Sequence, residues 1–170
     1  MGCGFGDFLK YDPQNFTGID TNKDALKFCR DKNYDVKLAS VENLPFPDKA
    51  FDAIVALQVI EHLNPEQAYK MFVEAVRVLK NGGEIILSTE MATKHIWDTF
   101  SHTRPYSPRS IVKILSSHKG GEQETFEKFE NLEIIGIYYH GHFFKNLIVN
   151  VLSHLIANLT RFNRRNYTII

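Results

Sequence analysis

A glycine-rich turn opens the chain, and polar residues follow the next apolar runs at the points where strands would end. Glycine in the turn Gly2–Gly6 lets the backbone bend sharply and lets a ligand come close. Asp20 ends a short apolar run, and an acid in that place can accept hydrogen bonds from both hydroxyls of a ribose. Ligands of open parallel sheets bind beyond the carboxyl ends of the strands. We therefore expect the turn, Asp20, the Ser40 region and Gln58–His62 to converge on one crevice.

The elements that must position these residues alternate between strands and helices. Apolar runs predict strands at Phe16–Asp20, Val36–Ala39, Phe51–Leu57 and Glu84–Thr89. Between them, one predicted helix is capped by Thr21 or Asn22, and a second starts at Pro65 and is ended by Asn81-Gly82-Gly83. This alternation predicts an α/β fold, a mostly parallel sheet with helices on both faces.

The second half of the chain is less regular. It predicts a helix through Leu115 after a Ser107-Pro108 cap, a strand at Leu132–Tyr139, a long amphipathic helix over Phe143–Leu159 and a last strand at Tyr167–Ile170. The long helix has two readings, because it could pack on its own sheet or cover an acceptor pocket or lipid surface. Three arginines follow it, so we keep a peripheral membrane contact through 143–165 open.

Five motifs, in the right order and spacing, point to one family. They are Gly2-Cys3-Gly4-Phe5-Gly6, Gly18-Ile19-Asp20, Glu42–Asp48 followed by Phe51-Asp52, Val59–Leu63, and Arg77–Gly83. Together they resemble the class I S-adenosylmethionine-dependent methyltransferases, most closely the subgroup with quinone- and sterol-type enzymes. The resemblance is strong over the first half and continues weakly through His102–Pro108. It implies a Rossmann-like, doubly wound sheet and S-adenosylmethionine as cofactor.

The resemblance also implies roles for individual cofactor-binding residues. Gly2, Gly4 and Gly6 would lie against the methionine and ribose parts, Asp20 would hold the ribose hydroxyls, Thr21 would sit beside adenine, Val41 would offer its backbone N–H to adenine, and Gln58 would lie near the methionyl portion. Ser40 departs from the family, which has an acid there for the adenine amino group. A serine can accept the same bond without charge.

The candidate catalytic residues are His62 and His102. With Glu61, His62 is the nearest candidate base at the carboxyl edge of the sheet. His102, Arg104 and Tyr106 follow the fifth family strand, where acceptor-binding segments usually lie. A structural role remains the alternative for all of them. No metal site is predicted, because His140-Gly141-His142 lacks an evident third ligand.

A further departure concerns the first strand of the family. An apolar strand and an acid normally precede the first glycine, where this sequence has only Met1. That strand would lie between the strands ending at Asp20 and near Gln58. We therefore expect a truncated sheet without its first strand. We treat residues 1–170 as a single domain, with a cofactor-binding half (1–90) and an acceptor-side half (91–170).

The composition limits the classes of partner and the location that we expect for this chain. The formal net charge is zero, from which we expect no nucleic-acid partner. Two cysteines cannot build a disulfide framework, and no signal or membrane-spanning segment is visible, so a cytoplasmic location is expected.

The predicted function is methyl transfer to a small molecule, such as a lipid, quinone or sugar intermediate. The alternative is a non-catalytic binding or scaffold domain, or an inactive fragment. Nicotinamide binding is disfavoured because the G-x-G-x-x-G spacing would need a small residue at Asp7 or at Leu9. The oligomeric state is not predicted.

Overall fold

A computed structural model describes residues 1–90, 94–115, 129, 137–140 and 166–169. The chain divides into two compact units. The first unit comprises Met1–Val59 and Asn64–Ile85, and the second comprises Ile60–Leu63 and Ile86–Ile170. The amphipathic helix expected over Phe143–Leu159, and the membrane contact through 143–165, lie outside the described residues.

Strands and helices alternate as the sequence predicts. The strands are β1 (Thr17–Asp20), β2 (Asp35–Leu38), β3 (Phe51–Leu57), β4 (Leu79–Glu90), β5 (Ile137–His140) and β6 (Asn166–Ile169), and the helices are α1 (Lys23–Asp31), α2 (Pro65–Val78) and α3 (Pro108–Leu115). β1 pairs with β2 in parallel, and Asp20 lies opposite Leu38. A second sheet has the strand order β3-β4-β6-β5, in which β6 is antiparallel to both neighbours. The α/β fold is therefore confirmed.

Helix α1 is set by its cap and by one apolar face. Asn22, and not Thr21, is the cap, since its side-chain oxygen accepts hydrogen bonds from the backbone N–H groups of Asp24 and Ala25. The buried face packs on the sheet and on the start of the chain. The core cluster consists of Leu9, Leu26, Cys29 and Val36, with Cys3, Phe16 and Tyr34 packed against it. Burial of this face holds the first six residues near the end of β1.

Helix α2 carries the residues that fix the loop between β2 and β3. The guanidinium of Arg77 donates to the carbonyl oxygens of Leu44 (3.0 Å) and Phe46 (2.9 Å) and to the carboxylate of Asp48 (2.8 Å). Glu74 accepts from the N–H of Leu44 at 2.6 Å and also binds Arg77. The loop with the Leu-Pro-Phe-Pro motif is thus held by an ion-paired clamp that the sequence analysis did not predict.

The glycine pair at 82–83 does not end helix α2, so that prediction was wrong. The helix stops at Val78, Leu79 already has extended backbone angles, and β4 runs through both glycines. A Cβ on Gly83 would lie 2.7 Å from the carbonyl oxygen of Asp52 in β3 and 2.8 Å from the side chain of Leu79. Gly83 is therefore needed for close approach of two strands.

An open groove lies between β1 and β3. Among the described strands, β1 has only β2 beside it and β3 has only β4, and a cavity of about 240 Å³ is lined by both. Most of its lining is apolar, including Ile19 of β1 and Val55 of β3. The N–H of Cys3 donates to the carbonyl oxygen of Ile19 (2.9 Å), and the amino group of Met1 donates to that of Val55 (2.7 Å). Residues 1–3 thus bridge the two strand edges.

The groove predicts that an added strand stabilises the first unit. A five-residue apolar segment fused before Met1 should raise the free energy of unfolding by about 2 kcal/mol or more, because apolar burial and new ladder bonds exceed the ordering cost. Urea unfolding monitored by circular dichroism measures the change. A fused Gly/Ser segment of the same length is the control, and equal stability of the two fusions would contradict the prediction.

Candidate functional site

The glycine turn at the start of the chain is folded tightly onto the end of β1. Gly2, Gly4 and Gly6 have φ angles of +62°, +48° and +82°, in the left-handed region that favours glycine. The Cys3 carbonyl oxygen accepts from the N–H of Gly6 at 2.9 Å and closes the turn. The backbone conformation therefore favours glycine at all three positions that are predicted to bind the cofactor.

The three glycines differ in what faces them. A Cβ on Gly2 would lie 2.6 Å from the side chain of Val59, and one on Gly6 would lie 2.8 Å from the ring of Tyr34. A Cβ on Gly4 would meet no described atom within 4 Å. Gly4 therefore presents bare backbone to open space, as a turn that admits a ligand requires.

Asp20 is bonded directly to this turn. One carboxylate oxygen accepts the N–H of Gly4 and the other accepts the N–H of Asn22, both at 2.8 Å. Each oxygen keeps a further lone pair, so the carboxylate can still accept hydroxyl donors. The acid and the glycine turn therefore lie at the same strand end, as the sequence predicts.

The segment after β2 joins the same edge. The N–H of Ala39 donates to the carbonyl oxygen of Asp20 at 3.1 Å, which sets Ser40 and Val41 beside the acid. The hydroxyl oxygen of Ser40 accepts the N–H of Glu42 at 3.2 Å. No described residue accepts a hydrogen bond from the N–H of Val41, so this donor remains for a ligand. Thr21 is exposed next to Asp20.

Gln58 follows β3 in a strained conformation. Its φ of +55° is rare for a residue with a side chain, and such strain is concentrated at ligand sites. The next residue, Val59, faces the Cα of Gly2. The predicted residues of the first unit are therefore linked by contacts along one edge. An open glycine backbone, a carboxylate and a free N–H donor suit a nucleoside, although their binding roles remain predictions.

The candidate catalytic residues all belong to the second unit, and the structure brings them together. The rings of His62 and His102 lie 4.9 Å apart, although 40 positions separate them in the sequence. Nδ1 of His62 lies 3.1 Å from the carbonyl oxygen of Ser101, and Nδ1 of His102 lies 2.6 Å from that of Ile96. Backbone groups of the second unit therefore fix both rings.

Glu61 is buried beside the histidines. Its Oε2 accepts the hydroxyl of Thr89 at 2.9 Å, whereas Oε1 has no hydrogen-bond partner among the described residues. Burial raises the pKa of the Glu61 carboxyl, and the Thr89 hydrogen bond opposes that rise. The contribution of Thr89 was not predicted from the sequence, although its place near the end of β4 was an available signal.

The segment after the histidines packs on residues 61–63. The N–H of Thr103 donates to the carbonyl oxygen of Glu61 at 2.8 Å, and the hydroxyl of Tyr106 donates to that of Leu63 at 3.0 Å. The Arg104 guanidinium lies 5.1 Å from the centre of the Tyr106 ring. This stack holds a cationic group at the surface, and burial raises the pKa of Tyr106.

Comparison with known proteins assigns the family. Residues 1–87 match the family described as a methyltransferase domain, which is more than half of the chain. The chain belongs to this family. The matched range contains the whole glycine turn and Asp20, which agrees with the predicted family, whereas the quinone- and sterol-type subgroup is not confirmed. Membership of a methyltransferase-domain family supports S-adenosylmethionine as the cofactor that the resemblance implies.

Two curated relatives illustrate the range of the family. The domain is 31% identical to a tRNA (carboxymethyluridine(34)-5-O)-methyltransferase of Arabidopsis thaliana, over 65% of this chain and 28% of that protein. It is 38% identical to a fatty-acid O-methyltransferase of Mycolicibacterium smegmatis, over 49% of this chain and 33% of that protein. The chain thus spans a third or less of the length of these relatives.

The tRNA methyltransferases among the relatives overturn the expectation of no nucleic-acid partner. That expectation rested on a formal net charge of zero. Net charge averages over the whole surface, whereas nucleic acid responds to the local distribution of charge. A formal net charge of zero therefore does not exclude a nucleic-acid partner.

Comparison with solved structures also supports the fold predicted from the sequence. A solved S-adenosylmethionine-dependent methyltransferase from Archaeoglobus fulgidus superimposes with a TM-score of 0.70, at 22% identity, over 99% of this chain and 81% of that one. This confirms the Rossmann-like fold. Among the described residues, no helix combines the length and the apolar character needed to cross a bilayer.

Proposed function

We propose that this domain binds S-adenosylmethionine through the glycine turn and Asp20 and transfers its methyl group to an acceptor. The observation that carries the proposal is the 2.8 Å hydrogen bond from the Gly4 N–H to the Asp20 carboxylate. It joins the open backbone of the turn to the acid that would hold the ribose. Ser40 and the free N–H of Val41 lie beside this acid, where adenine would be held.

The residues of the chain would act mainly by alignment. S-adenosylmethionine supplies an electrophilic methyl group on a sulfonium, and displacement at that carbon needs the acceptor in line. Alignment of two reactants can contribute about 7–11 kcal/mol. In the proposed site Asp20 fixes the ribose, Gly4 allows close backbone approach, and Gln58 lies near the methionyl portion. Each of these residues positions the donor, and none transfers a proton.

For the acceptor we propose an oxygen atom of a small carboxylic acid. Both relatives are named for methyl transfer to oxygen, one acting on a fatty acid and the other on a carboxymethyl group of tRNA. A carboxyl group is ionised near neutral pH, so it needs no base to become a nucleophile. The exposed Arg104, stacked on Tyr106, offers the cation that such an acceptor requires.

Under this proposal His62 and His102 would contact the acceptor and need not act as bases. A hydroxyl acceptor would be different, because a positioned base then adds roughly 10²–10⁴-fold to the rate. The catalytic role expected of the two histidines therefore depends on the acceptor. The cytoplasmic location likewise stays a prediction.

Calorimetric titration with S-adenosylhomocysteine tests the cofactor site. We expect one site per chain, with a dissociation constant within the roughly 1 μM–1 mM range of enzyme ligands. NAD⁺ is the matched nucleotide control and should not bind, because the glycine spacing does not suit its pyrophosphate. Absence of S-adenosylhomocysteine binding by the folded chain would remove the proposal.

A second assay identifies the acceptor class. Transfer of a radioactive methyl group from S-adenosylmethionine is measured to a long-chain fatty acid and, separately, to bulk tRNA. Label in the fatty acid supports the proposed acceptor, and label in tRNA alone would replace it. Binding of S-adenosylhomocysteine with no transfer to any acceptor would favour the scaffold alternative.

A further inference from the structure

Three side chains of the second unit present ligand atoms to one point. They are Glu61 and His62, from the turn after β3, and His102. One carboxylate oxygen and one ring nitrogen from each histidine all lie within 4.8 Å of one another. The cluster plays no part in the proposed cofactor site, which lies in the first unit.

The backbone around the histidines decides which nitrogen each ring leaves available. Nδ1 of each ring faces a carbonyl oxygen, that of Ser101 for His62 and that of Ile96 for His102. A carbonyl oxygen can only accept, so the neutral form of each ring that satisfies this contact carries its proton on Nδ1 and has its lone pair on Nε2. This orientation is typical of metal-binding histidines, which donate their second nitrogen to a carbonyl or carboxylate.

Glu61 provides an independent observation. Its side chain is completely buried, and Oε1 has no hydrogen-bond partner among the described residues. A buried carboxylate oxygen without a partner is costly, so its presence calls for a positive or donating group. The hydroxyl of Thr89 fixes the other oxygen and so leaves Oε1 for that group.

We propose that Glu61, His62 and His102 form a binding site for a divalent transition-metal ion, with Zn²⁺ as the best match. Two imidazole nitrogens and one carboxylate oxygen are a known ligand set for zinc sites that keep an open position. Three protein ligands leave that position for an oxygen ligand, such as water or a carboxylate. The site is independent of the proposed cofactor site, but it uses the two histidines that the proposed function places at the acceptor, so the acceptor would then meet the bound ion and not the free rings.

Cobalt is the probe for this site, because Co²⁺ replaces Zn²⁺ in such ligand sets and absorbs visible light. The full chain, stripped of metal by dialysis against a chelator, is titrated with Co²⁺ near neutral pH. We expect visible absorption bands that saturate at one ion per chain and disappear when one equivalent of Zn²⁺ is added. Isothermal titration with Zn²⁺ then measures the affinity directly.

Variants assign the ligands. Glu61→Gln keeps an acceptor for the Thr89 hydroxyl, and His62→Ala changes an exposed side chain, so both proteins should fold. Each should weaken Zn²⁺ binding roughly 100-fold or more, since outer partners of metal ligands are alone worth about 10–100-fold. Thr89→Val, which removes such an outer partner, should weaken it by about 10–100-fold.

Two controls separate this site from other binding. Glu66→Gln makes the same charge change at an exposed position of α2 and should leave Zn²⁺ affinity unchanged. A double variant, His140→Ala with His142→Ala, removes the two histidines of the His-Gly-His segment and should also bind one ion. Absence of Co²⁺ bands in the folded wild-type chain, or unchanged Zn²⁺ affinity in both Glu61→Gln and His62→Ala, would overturn the proposal.

Discussion

Replacement of Asp20 by asparagine is expected to lower the affinity for S-adenosylhomocysteine by about 10–100-fold. The two carboxylate oxygens accept N–H groups on opposite sides, from Gly4 and from Asn22. An asparagine offers only one oxygen, so its amide NH₂ must face one of these donors. The variant therefore loses a charge-assisted hydrogen bond and loosens the turn that would hold the nucleoside.

Calorimetric titration of Asp20→Asn measures this loss, and circular dichroism verifies that the variant is folded. Asp24→Asn is the matched control, because it removes the same charge four positions later from an exposed site in α1. The control should bind like the wild type. If Asp20→Asn binds as tightly as the control, Asp20 does not hold the cofactor.

The second large effect is expected at Gly6. Gly6→Ala should lower the free energy of unfolding by about 2–4 kcal/mol, because two costs add there. The φ of +82° disfavours any Cβ, and the new methyl group would lie 2.8 Å from the ring of Tyr34 and 3.1 Å from the sulfur of Cys29. Cys29 is in the core, so its sulfur has little freedom to move.

Gly4→Ala provides the comparison, since it shares the positive φ but meets no described atom within 4 Å. Urea unfolding should show a smaller loss of about 1–2 kcal/mol for Gly4→Ala, from backbone strain alone. Its S-adenosylhomocysteine affinity should nevertheless fall, because the methyl group would project into the open side of the turn. Equal stabilities for the two variants would show that Tyr34 and Cys29 yield to the methyl group.

Local sequence patterns correctly predicted many elements of the first unit. The run Phe51–Leu57, which is apolar except for Asp52, matches β3 residue for residue, and Pro65 starts α2 as its backbone preference requires. The predicted proximity of Asp20 to the glycine turn is also confirmed, since strand ends of a parallel sheet share one edge. Patterns of this kind succeed because the deciding forces act within a few residues or within one repeating motif.

Local sequence patterns failed where a contact between residues far apart in the sequence determines the local structure. Gly82 and Gly83 were predicted to end a helix. Gly83 instead lies in β4, where the backbone of Asp52, some 30 residues earlier, leaves no room for a Cβ. The clamp of Arg77 on the loop Leu44–Asp48 was not predicted for the same reason, because it joins residues that are far apart in the sequence. In both contacts, the sequence around one residue gives no indication of the residue that it meets.

By itself, then, the sequence determined the family and the strand and helix order of the first unit, and it supplied the cofactor proposal. Spacing of glycines, acids and apolar runs is a local code that survives without coordinates. Only the tertiary structure decided that Glu61 meets Thr89 and two histidines, and that Arg77 meets the loop Leu44–Asp48. Such meetings depend on packing between segments tens of residues apart, and chain order does not encode those distances.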